Sequence, residues 1–263
     1  MSIKTDKRAK EILRLLLSHR RASVEELTAA LRTSPASVRR DLIRLEAQGL
    51  VIRTLGGAML ASEGGPVYEP FRFDASFQVR EDRFSAEKQR IARVAAALIQ
   101  ENETVGFSAG TTTTLVARQL LHRKNVNIIT NAVNIGMELS SSTKLNTTLT
   151  GGTLRWPGAF SLVGPAAIES LALVVMDKLF LSATGVDADR GSTLIQPDEA
   201  AVFRAMVRQA RQVIVVADSS KIGLISPAVV CTPKEMDLLI TDDGITEGAA
   251  SRFAAVGIKL LSA

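Results

Sequence analysis

The chain has 263 residues, enough for two domains or one large one, and 46% of them are apolar, so a well-packed core is within reach. A single cysteine, Cys231, excludes an internal disulfide and suits a reducing, cytoplasmic setting; charges threaded through the first residues argue against a signal peptide, and no run of about 18 apolar residues offers a membrane span. The net charge of +5 is unevenly held, with 12 Lys/Arg against 6 Asp/Glu in residues 1–60 and 20 against 21 in the remainder, which makes the N-terminal end a candidate polyanion binder joined to a neutral body.

Three helix-like segments open the chain. In RAKEILRLLLSHR, residues Ala9, Ile12, Leu13 and Leu16 fall at helical spacing. In SVEELTAAL, Ser23 and Glu26 form a capping box and Val24, Leu27 and Leu31 make an inner face. After the break RTS, a third helix begins with Ser34 as N-cap and Pro35 at its first position, turns Val38, Leu42 and Leu45 inward, and stops at Gly49. Two short helices, a tight break and a longer helix make a helix-turn-helix pattern. The outward side is expected to carry Ser37, Arg40 and Arg44 with Arg39 beside them, the donors that a helix in the major groove needs. Asp41 reads as a structural partner for a neighbouring arginine. Leu50, Val51 and Ile52 then form a strand, Gly56 and Gly57 a turn, and Arg53 is aimed at the phosphate backbone, so the module is winged. A three-helix dimerisation module with an arginine-rich surface is the alternative. The N-terminal domain is expected over residues 1–59.

Residues 60–75, LASEGGPVYEPFRFDA, read as a connector; Tyr68, Phe71 and Phe73 in it either anchor it to the body or transmit ligand state. From residue 76 to 263 strands alternate with helices. The helix SAEKQRIARVAAALI turns Ile91, Val94, Ala95 and Leu98 inward and leads to the strand ETVGFSAG. A helix starts in the threonines that follow; then come NVNIIT as strand, NAVNIGMELS as helix, LNTTLTGGTL as strand with a Gly-Gly turn, and GPAAIESLAL as helix. DKLFLSATGV is a strand, DEAAVFRAMVRQA a helix, and QVIVVAD and DLLITDD are strands. This alternation implies a parallel sheet in a three-layer, Rossmann-like α/β body, with ligands at the carboxyl ends of the strands.

The candidate effector residues cluster at those ends. Ser108, Gly110, Thr111, Thr112 and Thr113 form a turn into a helix whose free amides attract an anion, without the lysine of a nucleotide-binding P-loop. Thr111 acting only as a helix cap is the plain alternative. Asn131, the turn Gly151–Gly152, Asp187, the helix start Asp198–Glu199, and Lys221 stand at the other ends. Lysine suits a phosphate, and carboxylates with Asn131 suit hydroxyls, so a small phosphorylated polyhydroxylated molecule fits. His19, His122 and Cys231 are isolated, so no metal or cofactor is indicated, and no Gly-x-Ser-x-Gly elbow marks a hydrolase.

The stretch SPASVRRDLIRLEAQGLVIRTLGGAML resembles the N-terminal signature of the DeoR family of bacterial transcriptional regulators, with Ser37 and Val38 in place of the family's Thr and Ile, and Leu55 in place of its His. AGTTTT, ITNAVNIGMELS, LTGGTLR, VGPAAIESL, DKLFLSATGVD and ADSSK follow in order and are similar to the sensor domain of that family. The resemblance implies a fold related to ribose-5-phosphate isomerase and a response to phosphorylated sugars. By position, Gly110, Thr111 and Thr112 match the phosphate-binding turn, Asp187 one isomerase acid, and Lys221 the isomerase's lysine. Ser108 stands where the family often has Asp, and Thr184 replaces an acid, which argues for binding rather than turnover. The resulting expectation is a homo-oligomeric repressor of carbohydrate metabolism genes that binds double-stranded operator DNA and is released or modulated by a phosphorylated sugar or related metabolite. A sugar-phosphate isomerase with an appended DNA-binding module and a ligand-independent DNA binder are the alternatives.

Overall fold

The computed structural model describes residues 8, 9, 11–13, 15, 16, 21–47, 51–54, 56–60, 77–155 and 160–263. The chain divides into two units, Met1–Arg72 and Phe73–Ala263. Gly49, Leu50, Leu55 and the linker aromatics Tyr68, Phe71 and Phe73 lie outside the described residues.

In the first unit, residues 8, 9, 11–13, 15 and 16 are helical (α1). They are followed by strand β1 (Arg21–Ser23), helix α2 (Val24–Leu31), helix α3 (Pro35–Ala47), and strands β2 (Val51–Thr54) and β3 (Gly57–Leu60). The expected capping box starts α2: Ser23 Oγ accepts from Glu26 N–H (3.1 Å) while Glu26 Oε2 accepts from Ser23 N–H (2.7 Å). Arg32 closes α2 in the left-handed region (φ 47°), which turns the chain sharply into α3. Ile12, Leu16, Leu27, Val38, Leu42 and Leu45 are buried together, as their spacing predicts, with Leu13 and Leu31 packed at the margin. The wing has a strand that periodicity did not reveal. Three-residue β1 pairs with β3, so the sheet order is β1-β3-β2, all antiparallel.

The second unit runs α4 (Phe77–Asp82), α5 (Ser85–Ala97), β4 (Thr104–Phe107), α6 (Thr111–Arg118), β5 (Val126–Thr130), α7 (Val133–Leu139), β6 (Leu145–Leu149), β7 (Thr153–Arg155), β8 (Ser161–Val163) and α8 (Pro165–Leu171). It continues with β9 (Lys178–Leu181), β10 (Gly185–Asp187), β11 (Gly191–Leu194), α9 (Pro197–Arg208), β12 (Val213–Val216), β13 (Ala228–Cys231), β14 (Leu238–Thr241), α10 (Glu247–Ala255) and β15 (Lys259–Ser262). Seven strands form one sheet in the order β15-β14-β12-β9-β4-β5-β6, and every neighbouring pair is parallel. All carboxyl ends therefore lie along one edge of the sheet, the edge at which parallel α/β sheets bind ligands. At its centre Phe107 of β4 stacks on Phe180 of β9, with ring centroids 5.5 Å apart. The helices α5, α6 and α7 pack in sequence, and α8 packs on α9.

Two segments expected as single strands are each divided. LNTTLTGGTL contributes β6 to the large sheet, then turns at Gly152 (φ +122°) so that β7 pairs antiparallel with β8. DKLFLSATGV contributes β9, and then β10 leaves for a separate antiparallel sheet of order β10-β11-β13. Gly191 makes the second sheet possible. It holds φ +78°, and an added Cβ would lie 2.0 Å from the Cys231 carbonyl oxygen. Replacing Gly191 by alanine is expected to lower stability by at least about 2 kcal/mol, from backbone strain and overlap together. Gly248 in the first turn of α10 has open space around its Cβ position, and Gly248→Ala should raise stability by up to about 1 kcal/mol. Denaturant unfolding of the two variants beside the parent chain checks both signs.

Candidate functional site

Two groups of expected site residues fall on the two units. On the first, Ser34 caps α3: its Oγ accepts from Ser37 N–H (3.2 Å) and lies 2.9 Å from Ser37 Oγ. Arg39 and Arg40 are exposed, but the exposed stripe continues through Ala36 and Ile43, while Ser37 and Arg44 are half-buried at its margin. The outward face is thus rotated by about one residue from the expected one. Asp41 is buried, and its partner is Arg8 of α1, 33 positions away, at 2.5 Å. Arg53 has a partner within the unit as well. Its Nε is 2.6 Å from Glu46 Oε2 and its N–H donates to Glu46 Oε1 (3.1 Å), which ties the wing to the end of α3. Gly56 occupies the turn at φ +93°, and Gly57 allows β1 to approach, since a Cβ there would meet Ala22 O at 2.3 Å.

On the second unit the strand ends are cross-linked by their own polar atoms. Ser108 Oγ accepts from Ser182 N–H (2.9 Å), and Ser182 Oγ donates to Ala109 O (2.6 Å), joining the ends of β4 and β9. Asn131 Oδ1 accepts from Ala109 N–H (2.9 Å) and its Nδ2 donates to Leu162 O (3.2 Å). Thr113 Oγ1 donates to Ser108 O (2.7 Å), and Thr114 Oγ1 donates to Gly110 O (2.7 Å). Ser108, Thr113 and Asn131 therefore serve the framework of the loop, and all three are buried. What they frame is the start of α6. No side chain caps this helix, whose N-cap is Gly110. The amides of Thr111, Thr112 and Thr113 precede its first intrahelical bond, Thr114 N–H to Gly110 O at 3.0 Å, and such amides bind anions. A Cβ on Gly110 would lie 2.4 Å from Ser182 Cβ, so this tight turn depends on glycine.

Cationic groups collect at the same edge. Lys221 ends a short 3-10 turn after β12. Asp242 at the end of β14 holds that turn: burial alone would raise its carboxyl, but hydrogen bonds from Ser219 N–H (2.6 Å), Ser219 Oγ (2.8 Å) and Gly244 N–H (3.0 Å) outweigh burial and keep it below the usual range. Burial pushes the Lys221 ammonium down to about 8; Asp218 opposes this, and Lys88, Arg83 and Arg80 reinforce it. Lys88 in the first turn of α5 is itself buried and pushed down to about 8 by the same desolvation, against Asp218 and Glu81 and with Arg80 and Arg83. Its Nζ donates to the carbonyls of Arg80 and Arg83. Arg80 also lies within electrostatic range of Glu199, whose carboxyl is raised by burial against the pull of Arg155. Arg155 Nη1 is 3.8 Å from Glu199 Oε2 and its Nε is 3.9 Å from Asp198 Oδ2, so the two acids at the start of α9 sit with an arginine from β7.

Asp187 goes elsewhere. Its Oδ1 accepts from the N–H groups of Asp189 (2.9 Å) and Arg190 (3.2 Å), and Arg252 lies at 3.4 Å from its Oδ2, so the carboxylate serves the β10–β11 turn. Gly151 and Gly152 shape the β6–β7 turn against β8 and α8, with Gly151 N–H donating to Ser170 Oγ (3.3 Å). The residues that sequence reasoning missed are Arg80, Arg83, Lys88, Arg155 and Ser182. For Lys88 a signal existed: it precedes Ile91 by three and Ala92 by four, on the inward face of α5, where a lysine needs a reason.

The DeoR-like helix-turn-helix domain matches residues 8–63, and the DeoR C terminal sensor domain matches residues 83–243. The chain is 34% identical over 256 residues to the HTH-type transcriptional repressor GlcR of Bacillus subtilis strain 168, covering 97% of this chain and 95% of that protein. It is 34% identical over 241 residues to the transcriptional repressor AccR of Agrobacterium fabrum strain C58, covering 91% and 90%. Among solved structures, ribose 5-phosphate isomerase A from Methanocaldococcus jannaschii aligns with 52% of this chain and 54% of its own, at 17% identity and a TM-score of 0.40.

Buried Lys88 and half-buried Lys221 set a pH dependence. A lysine whose folded pKa is about 8, against 10.5 as its ordinary value, binds fewer protons folded than unfolded between those limits, so stability rises with pH there. Buried Cys231, raised from 9.0 to about 12, acts in the opposite sense above 9.0. Thermal unfolding should therefore show stability rising between about 8 and 9, and Lys221→Gln should flatten that rise.

Proposed function

This chain belongs to the DeoR family of DNA-binding transcriptional regulators, and from that premise we propose that it represses genes of carbohydrate metabolism and is released by a phosphorylated sugar or related metabolite. The observation that carries the effector class is the start of α6 at the strand-end edge, where Gly110 is the N-cap and no side chain caps the helix. A phosphoryl group takes the α6 amides of Thr111 and Thr112 together with Lys221 and Lys88, and its arrival offsets the cost of keeping two ammonium groups from water. Asp198, Glu199 and Arg155 are suited to sugar hydroxyls. Repression itself is carried over from the relatives named as repressors.

On the DNA side, Arg39 and Arg40 provide donors to base edges or phosphates, and Ser34 and Ser37 stand at the helix start nearest them. One head makes few contacts, so tight operator binding calls for at least a dimer. Release requires only that the effector favour the form with the weaker operator affinity.

An isomerase reading is disfavoured by the acids. Thr184, which stands in place of an acid, donates its hydroxyl to Thr193 O (3.0 Å), and Asp187 accepts from two amides of the β10–β11 turn, so this segment offers no second carboxylate to share a proton between sugar carbons.

A thermal-shift screen of phosphorylated sugars, followed by DNA binding in the presence of each hit, tests the whole reading. It fails if no phosphorylated sugar shifts the melting temperature or alters operator affinity. Arg40→Ala should weaken operator binding about tenfold and reduce the salt slope by about one, as read by fluorescence anisotropy in a salt series. Lys221→Ala should leave operator affinity intact and weaken the effector roughly ten- to a hundred-fold, the effect of losing a charge-assisted hydrogen bond. Because the anion binds the charged lysines, its affinity should fall as pH rises through about 8, with proton uptake on binding measurable by calorimetry in buffers of different ionisation heat.

A further inference from the structure

The exposed stripe of α3 contains an apolar residue where donors would be expected. Ala36, Arg39, Arg40 and Ile43 are exposed and lie three or four positions apart, so they share one face of the helix. The opposite face, Val38, Leu42 and Leu45, is buried. Ile43 is 50% exposed, a large branched side chain beside two arginines. A single exposed isoleucine is ordinary on a protein surface. This one is set apart by its neighbours: Arg39 is one helical turn before it, Arg40 three residues before it, and Ala36 two turns before it. Seven positions of α-helix rise about 10 Å, so the stripe spans several base pairs of a groove.

Within that stripe Ile43 has neither a proton to donate nor an oxygen to accept one. Against a phosphate or a cytosine amino group it would strip water from a polar partner and give nothing in return. The major groove has one apolar feature, the C5-methyl of thymine. A β-branched side chain on a helix is held close to a single rotamer, so Ile43 is already ordered for such a contact and loses little freedom on making it.

We infer that Ile43 is a specificity-determining residue that packs on a thymine methyl in each half of the operator, selecting thymine over cytosine at that base pair. Arg39 and Arg40 supply the flanking polar contacts, and Ala36 leaves room for the helix to approach. This inference rests on the reading of α3 as the helix that meets base edges, and its test separates the two.

Duplexes bound by the full chain are first selected from a randomised DNA library. Each thymine of the selected sequence is then replaced singly by deoxyuridine, which removes the methyl and keeps every base-pairing atom. The expected result is a loss of about four-fold in affinity at one thymine per half-site, the factor that burying one methyl group is worth. Ile43→Ala should bring that penalty close to unity while leaving the melting temperature unchanged. Arg40→Ala should weaken binding to every duplex yet keep the deoxyuridine penalty. Tight selected binding with no deoxyuridine penalty, or a penalty that persists undiminished in Ile43→Ala, would overturn the role of Ile43 and leave α3 as the reading helix. Failure to enrich any duplex would overturn both.

Discussion

Positive charge held away from water is the constraint around which the larger unit is arranged. Burial lowers the ammonium groups of Lys88 and Lys221 to about 8, with Arg80 and Arg83 acting in the same direction on both and Lys88 on Lys221. Asp218 opposes the shift at both lysines, and Glu81 opposes it at Lys88. Desolvation of two ammonium groups costs stability, and an anion bound as proposed would offset that cost. The parallel sheet makes it possible by bringing β4, β9, β12 and β14 to the same edge, so that groups more than a hundred residues apart in sequence share one electrostatic environment. The framework bonds among Ser108, Ser182, Asn131 and Thr113 hold the loop that leads into the α6 amides.

The smaller unit follows a different rule. Its core is local, with three helices and a three-stranded wing, and its ion pairs serve structure: Arg8 with Asp41 and Arg53 with Glu46 join elements that sequence separates. With Arg53 and Asp41 so occupied, Arg39 and Arg40 remain the exposed arginines of α3, and the helix face they occupy is narrower and more apolar than a count of arginines suggests.

Much of this was legible in the residues because it follows from short-range patterns. The capping box at Ser23, the cap at Ser34 and the inward stripe of α3 are set by spacing within one or two turns. The buried strand VIVV and the glycine turn into the threonines show in the same way. What stayed hidden depends on partners far along the chain. Nothing near Asp187 says that its carboxylate will serve the turn before Gly191, and nothing near Arg53 names Glu46. The run of threonines looked like a row of ligands. In the fold, two of the hydroxyls turn back onto the Ser108 and Gly110 carbonyls, because a buried hydroxyl in a helix takes the nearest acceptor. Lys88 is the instructive miss. Its place on the inward face could be read, but charge at the start of a helix is usually solvated, and only the packing of α4 and β12 around it makes it a buried cation.

The hold of Lys88 on the carbonyls of Arg80 and Arg83 has a stoichiometric consequence. An ammonium carries three protons, and here two of them point at the backbone that closes α4. A newcomer with several oxygen atoms can take the third, but to claim more it must draw the side chain off that turn. An anion bound at Lys88 and the tightness of the α4–α5 corner would therefore not be independent variables: they would compete for hydrogens on one nitrogen atom.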